Sequence, residues 1–139
     1  MELDFIRLLI DFGFVVLIWA VQLVIYPGFK FYNRENLYVW HQSYTARVTI
    51  IVLPLMFSQL ILASIQLWQT QNLYTILSGL IIVTLWLQTF LIFVPLHQSI
   101  DNNKAKANVC SQLVTKNWMR TLLWTLLFFI SLWHYFLIY

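Results

Sequence analysis

Polar residues break this chain at short intervals, and between the breaks lie four apolar stretches of bilayer length. Crossing hydrocarbon takes about 20 apolar residues, each rising about 1.5 Å. The stretches cover about 8–26, 45–67, 73–96 and 118–139. The first stops at Pro27-Gly28, a helix-breaking pair; the second contains Pro54; the third carries Pro95 near its end. Backbone groups in lipid must be paired internally, and four segments cannot close a barrel, so helices are expected. The connection 68–72 is short, which makes the second and third spans antiparallel neighbours. The expected fold is all-α: one integral membrane domain over 1–139, an antiparallel four-helix transmembrane bundle. The longer connection 98–116 has room for a helical turn of its own, with Thr115 as N-cap of the last span.

Composition agrees with the pattern. The chain is 61% hydrophobic and 9% charged, against about 25% charged for a soluble domain. It could not cover its own surface in water. The single cysteine, Cys110, excludes an internal disulfide and a multi-cysteine metal site. Met-Glu-Leu-Asp at the start lacks the basic region of a signal peptide, so the first stretch is expected to remain as a span.

Charge supplies direction. Lys30, Arg34, Arg47, Lys104, Lys106, Lys116 and Arg120 all lie beside the first and third connections; only Arg7 lies at the other end. The positive-inside rule makes the basic end cytoplasmic and puts both termini on the non-cytoplasmic side. A bacterial inner membrane is the expected location. The net charge of +3 is explained by orientation, and no nucleic-acid partner is expected.

Helical spacing then groups the intramembrane polar residues. Trp19, Gln22 and Tyr26 form one stripe on the first span. His41 and Tyr44 share a face of the second, with Arg47 beside it and Gln59 returning to the angle of His41. His97 ends the third span just after Pro95; without a bend there, Gln88 and His97 would point to opposite faces. Asn117, Arg120, Thr121 and Trp124 share a stripe on the fourth. These stripes meet at the basic end. Ionisable groups inside a membrane mark functional sites, so His41 and His97 are candidate ligands or acid/base groups. Gln22, Tyr26, Tyr44, Arg47, Asn117 and Arg120 are candidate substrate-binding residues. Asp101 and Glu35 lie in the connections, and nothing in the spacing requires them to join.

Three residues read otherwise. Arg7 and Asp11 are an i, i+4 pair, placed by their position in the outer headgroup region. His134, near the outer end of the last span without matching polar partners, is expected to be interfacial. Ser58 and Gln59 are expected to satisfy the carbonyl that Pro54 frees.

Two histidines can ligate haem iron axially or contribute to a metal site, so haem is the first cofactor candidate. Without a cofactor, neutral histidine serves as a general base, with Arg and Asn stabilising negative charge. The substrate would be a flat amphiphile entering from the leaflet, and an oxidoreductase is one outcome. The other class is a non-catalytic subunit of a larger membrane complex, or a homo-oligomer.

Trp19-Ala20-Val21-Gln22 leading to Tyr26-Pro27, Trp40-His41, Pro54-Leu55-Met56, Val94-Pro95-Leu96-His97 and Asn117-Trp118-Met119-Arg120-Thr121 together resemble a group of small bacterial four-helix membrane proteins. The resemblance implies a four-span fold and no particular activity. Trp19 followed by Pro27 is more distantly similar to the first-helix pattern of HemJ-type protoporphyrinogen oxidases, though the histidine of that pattern has no counterpart here. A proline after the first span and a histidine-bearing second helix are similar to anthrone-oxygenase-like membrane proteins, which implies cofactor-free oxidation of aromatic substrates.

Overall fold

The computed structural model describes residues 2–138. Four long helices make up the fold: α1 (Glu2–Phe29), α2 (Arg34–Gln69), α3 (Leu73–Asp101) and α4 (Val109–Ile138). Each is long and apolar enough to cross a membrane. They run up and down in turn, α1 packing on α2, α2 on α3, α3 on α4, and α4 closing on α1. No strand occurs among the described residues.

The helices outrun the apolar stretches. α2 has 36 residues, about 54 Å at 1.5 Å per residue, against roughly 30 Å of hydrocarbon. It starts at Arg34 because Asn33 caps it, the side chain accepting from the Asn36 amide at 2.8 Å. α4 begins at Val109, so Thr115 is not a cap but lies inside the helix. The α2–α3 connection shrinks to 70–72, where Asn72 and Thr75 form a capping box.

Pro27-Gly28 does not end α1. A π-helical turn at Val21–Ile25 precedes it, and helix resumes over Tyr26–Phe29. α3 repeats the device, with a π turn at Thr89–Phe93 followed by Val94–Asp101. Proline lacks an amide hydrogen, and its ring clashes with the carbonyl four residues back. Widening the preceding turn moves that carbonyl aside. Each wide turn also adds one residue, a rotation of about 100°. This re-aims His97, so that Gln88 is buried and His97 faces the bundle as well. Pro54 in α2 has no such turn and sits on the exposed face.

Lipid-facing positions are large and apolar, among them Leu23, Val24, Ile50, Leu91 and Phe129. The interior is mixed. Phe14 stacks on Trp124 with centroids 4.6 Å apart, and Met56, Leu85, Leu113 and Leu127 complete the apolar layer. Hydrophobicity does not distinguish interior from lipid, so interhelical hydrogen bonds and close packing hold such bundles together.

The Arg7–Asp11 pair belongs to that interior. Both side chains are fully buried, turned into the bundle and not out toward headgroups. Arg7 Nε donates to Asp11 at 3.0 Å, and Arg7 Nη1 donates to Gln66 Oε1 at 3.1 Å. Gln59 donates to Asp11 Oδ1 at 2.6 Å, and Ser131 donates to Oδ2. Gln59 therefore serves Asp11 rather than the carbonyl freed by Pro54. His134 also has a partner, lying flat on Tyr74 with centroids 3.8 Å apart.

Candidate functional site

The second polar assembly lies where α1 and α3 end and α2 and α4 begin, and all four helices contribute to it. Asp101 is the last residue of α3, and His97 lies one turn before it. His41 stands two turns into α2, and Tyr26 follows the π turn of α1. Arg120 comes from α4.

Hydrogen bonds join four of these residues in line. His41 Nδ1 is 2.6 Å from Asp101 Oδ1. His41 Nε2 is 2.8 Å from His97 Nδ1. The Tyr26 hydroxyl is 2.9 Å from His97 Nε2. Thr45 supports the far carboxylate oxygen, its hydroxyl 2.9 Å from Asp101 Oδ2. Phe29 closes the chain from the side, edge-on to both His41 and Tyr44. Tyr26, at the inner end, is buried, while the Asp101 side chain keeps 25% of its surface open.

Arg120 is the charged member. It is buried, with its guanidinium 4.2 Å from the centroid of the Phe93 ring and 5.0 Å from that of Trp124. Its guanidinium meets the Tyr26 hydroxyl, and Tyr44 lies nearby. Its Nε has no hydrogen-bond partner. Among the described residues no carboxylate lies within ion-pair distance of it. A cation in that setting is poorly compensated, since aromatic faces replace only part of its hydration.

Beside Arg120 is a cavity of about 330 Å³. Tyr26, Tyr44, His97, Asp101 and Arg120 lie on its wall, and most of the remaining lining is apolar. It occupies a gap in the buried stripe of α2, which has no fully buried residue between Tyr44 and Met56. Thr49 and Leu53 on α2 and Phe90 on α3 are both cavity-lining and exposed. The cavity therefore reaches the outer surface of the bundle between these two helices, where lipid would lie.

The expected residues divide into three groups. Tyr26, His41, Tyr44, His97 and Arg120 come together. Gln22 and Asn117 are fully buried nearby but form a separate α1–α4 clamp: Gln22 Oε1 accepts from Asn117 Nδ2 at 3.0 Å, and Gln22 Nε2 donates to the Val114 carbonyl. Arg47 is not in the assembly, because its side chain is exposed on the outer face of α2. It lies six residues beyond His41, well off the angle of that ring. Asp101 was not singled out. Its four-residue spacing from His97 was the available signal.

The residues do not suit a two-histidine haem or metal centre as they stand. Ligation uses the lone pair of one nitrogen of each ring, with metal–nitrogen bonds of about 2.0–2.1 Å for zinc. His41 Nε2 and His97 Nδ1, which would have to face a metal between the rings, instead face each other at 2.8 Å and share a proton. Among the described residues no group of three or more His, Cys, Asp or Glu is disposed to hold a metal ion. A hydrogen-bonded line of titratable groups is instead suited to moving or holding a proton.

Fold and site together define a four-helix membrane-spanning bundle with a buried aspartate–histidine–histidine–tyrosine chain beside an arginine-bearing cavity. No protein-family model matches the chain, and no curated protein or solved structure matches it. The bundle is the fold expected from the resemblance to small four-helix membrane proteins; the comparisons attach no family to it.

Proposed function

We propose that this protein is a single-domain integral membrane protein that binds a flat amphiphile in the cavity between α2 and α3. The polar end of the ligand is an oxygen carrying full or partial negative charge, held by Arg120, Tyr26 and Tyr44. Its apolar body lies along Val48, Val52, Met56 and Phe90. The observation that carries this reading is a buried guanidinium on the wall of a mostly apolar cavity, with no carboxylate within ion-pair distance among the described residues. Such a cation is retained at a cost in stability, and an anionic or carbonyl ligand supplies the missing charge. The lateral mouth suits a molecule that partitions into lipid first.

Haem was the first cofactor candidate, and iron ligated by both His41 and His97 requires their rings to separate. The amphiphile reading leaves the pair intact. An absorption spectrum of protein purified in mild detergent separates the two. The expected spectrum has no Soret band, and organic extraction of the same sample yields a stoichiometric aromatic or quinone-like compound, or the protein takes up an added long-chain phenol. A Soret band lost in both His41→Ala and His97→Ala would restore haem. A protein that takes up no amphiphile and always purifies with one fixed partner would favour an accessory subunit.

Orientation follows from the lysines. We place the α1–α2 and α3–α4 connections in the cytoplasm of a bacterial cell, with both termini on the opposite side. An impermeant amine reagent applied to right-side-out cells is then expected to spare Lys104, which is exposed on the α3–α4 connection. Modification of Lys104 from outside would reverse the assignment.

A further inference from the structure

We infer that the Asp101–His41–His97–Tyr26 chain withdraws a proton from a ligand hydroxyl bound beside Arg120 and releases it to water at Asp101. This rests on the binding reading above and adds to it a ligand class, phenols and hydroquinones, and a direction.

The direction follows from donor and acceptor counting. An ionised carboxylate only accepts hydrogen bonds. With Asp101 ionised, His41 Nδ1 must carry the proton that fills the 2.6 Å contact. A neutral imidazole has one donor and one acceptor nitrogen, so His41 Nε2 accepts. His97 Nδ1 then donates to it across 2.8 Å, and His97 Nε2 accepts in turn. The Tyr26 hydroxyl donates to that nitrogen across 2.9 Å. One charge at the outer end thus sets the tautomers of both rings and the polarity of the whole line. Every donor points outward. The Tyr26 oxygen faces the Arg120 guanidinium and the Tyr44 hydroxyl, and a ligand hydroxyl donating to it would take the place of Tyr44.

The transfer balances. The ligand O–H bond breaks and its proton joins the Tyr26 oxygen. The former Tyr26 proton passes to His97 Nε2, the His97 Nδ1 proton to His41 Nε2, and the His41 Nδ1 proton to Asp101. Both histidines end neutral with their tautomers exchanged. One negative charge has moved from Asp101 to the ligand oxygen, where Arg120 compensates it. The partly open carboxyl then gives its proton to water. The chain resets when each group rotates or exchanges its proton back.

The groups facing the line come from every helix: Tyr26 from α1, His41, Tyr44 and Thr45 from α2, His97 and Asp101 from α3, and Arg120 from α4. Among the described residues facing the line, only Asp101 contributes negative charge and only Arg120 contributes fixed positive charge. They occupy opposite ends of the line. Asp101 is therefore a positioning residue as well as the exit, and Tyr26 is the group that would touch the ligand.

A nitrophenol bearing a dodecyl chain is a suitable probe, because its anion absorbs visible light and its tail suits the cavity. The full-length protein in detergent is saturated with the probe, and the absorbance is followed after a rapid upward pH jump. In the wild type, ionisation is expected to be fast and slowed in deuterium oxide. Asp101→Asn can still accept the His41 hydrogen bond but cannot take the proton, so it is expected to slow ionisation about tenfold or more. Asp101→Glu restores a titratable carboxyl and is expected to recover most of the rate. Equal rates in the wild type and Asp101→Asn would overturn the relay, as would a rate Asp101→Glu does not recover. A wild-type protein that takes up no probe would overturn the binding reading instead, so the two failures are distinguishable.

Discussion

Arg120→Met will weaken binding of an anionic amphiphile by about 10- to 100-fold and will also raise the stability of the empty protein. The first effect is the loss of a charge-assisted contact, which contributes about 1.5–3 kcal/mol. The second follows from the environment of the side chain. Arg120 is buried between Phe93 and Trp124, with one guanidinium nitrogen unpaired. Removing an uncompensated buried charge while keeping an unbranched apolar side chain is expected to stabilise by about 1 kcal/mol or more. Thermal unfolding in detergent, run beside a binding titration, reads both. The two quantities must move in opposite directions. A less stable variant with undiminished affinity would make Arg120 a structural group and remove the basis of the binding site.

The other buried charges behave in the opposite way. Asp11→Leu is expected to cost about 3–5 kcal/mol, because it strands Arg7 in the interior. Arg7→Met should cost a comparable amount by stranding Asp11. The double variant Arg7→Met with Asp11→Leu is expected to recover most of the loss, since two apolar side chains replace a complete pair. Unfolding of the four proteins of this cycle by heat or denaturant gives the coupling directly. Additive losses would mean that Gln59, Gln66 and Ser131 hold each charge independently. The contrast with Arg120 is the useful part. Arg7 has its counter-charge four residues away, whereas among the described residues no carboxylate lies within ion-pair distance of Arg120.

Much of this architecture is legible in the sequence, for a physical reason. Lipid forbids unpaired backbone, so four long apolar stretches leave little choice of fold. The meeting of Tyr26, His41, Tyr44 and Arg120 is also readable, because each lies on the polar stripe of its helix, whereas the aim of His97 depends on the turn before Pro95. What failed were the readings that assumed a helix of constant pitch or a fixed end. Gln88 and His97 appear to oppose each other only if no residue is added between them. Arg7 and Asp11 look like a self-contained pair only while Gln59, Gln66 and Ser131, from two other helices, are left out. Arg47 looked inward from its neighbour Tyr44, but its angle from His41 sends it out. Asp101 reads as a loop residue only if the helix ends at Leu96. One further turn puts it directly beneath His41.

The paired wide turns have a consequence for how such a site can vary. Each makes the lower and upper parts of one helix keep different time, so substitutions and length changes act on different properties. Replacing a side chain in Thr89–Phe93 alters the cavity wall. Removing one residue there would turn everything beyond it by about 100°, carrying His97 and Asp101 toward lipid while leaving the lower bundle as it was. The same holds for Val21–Ile25 and Tyr26. Residue identity tunes the cavity, but chain length within these two short segments decides whether the proton chain exists at all.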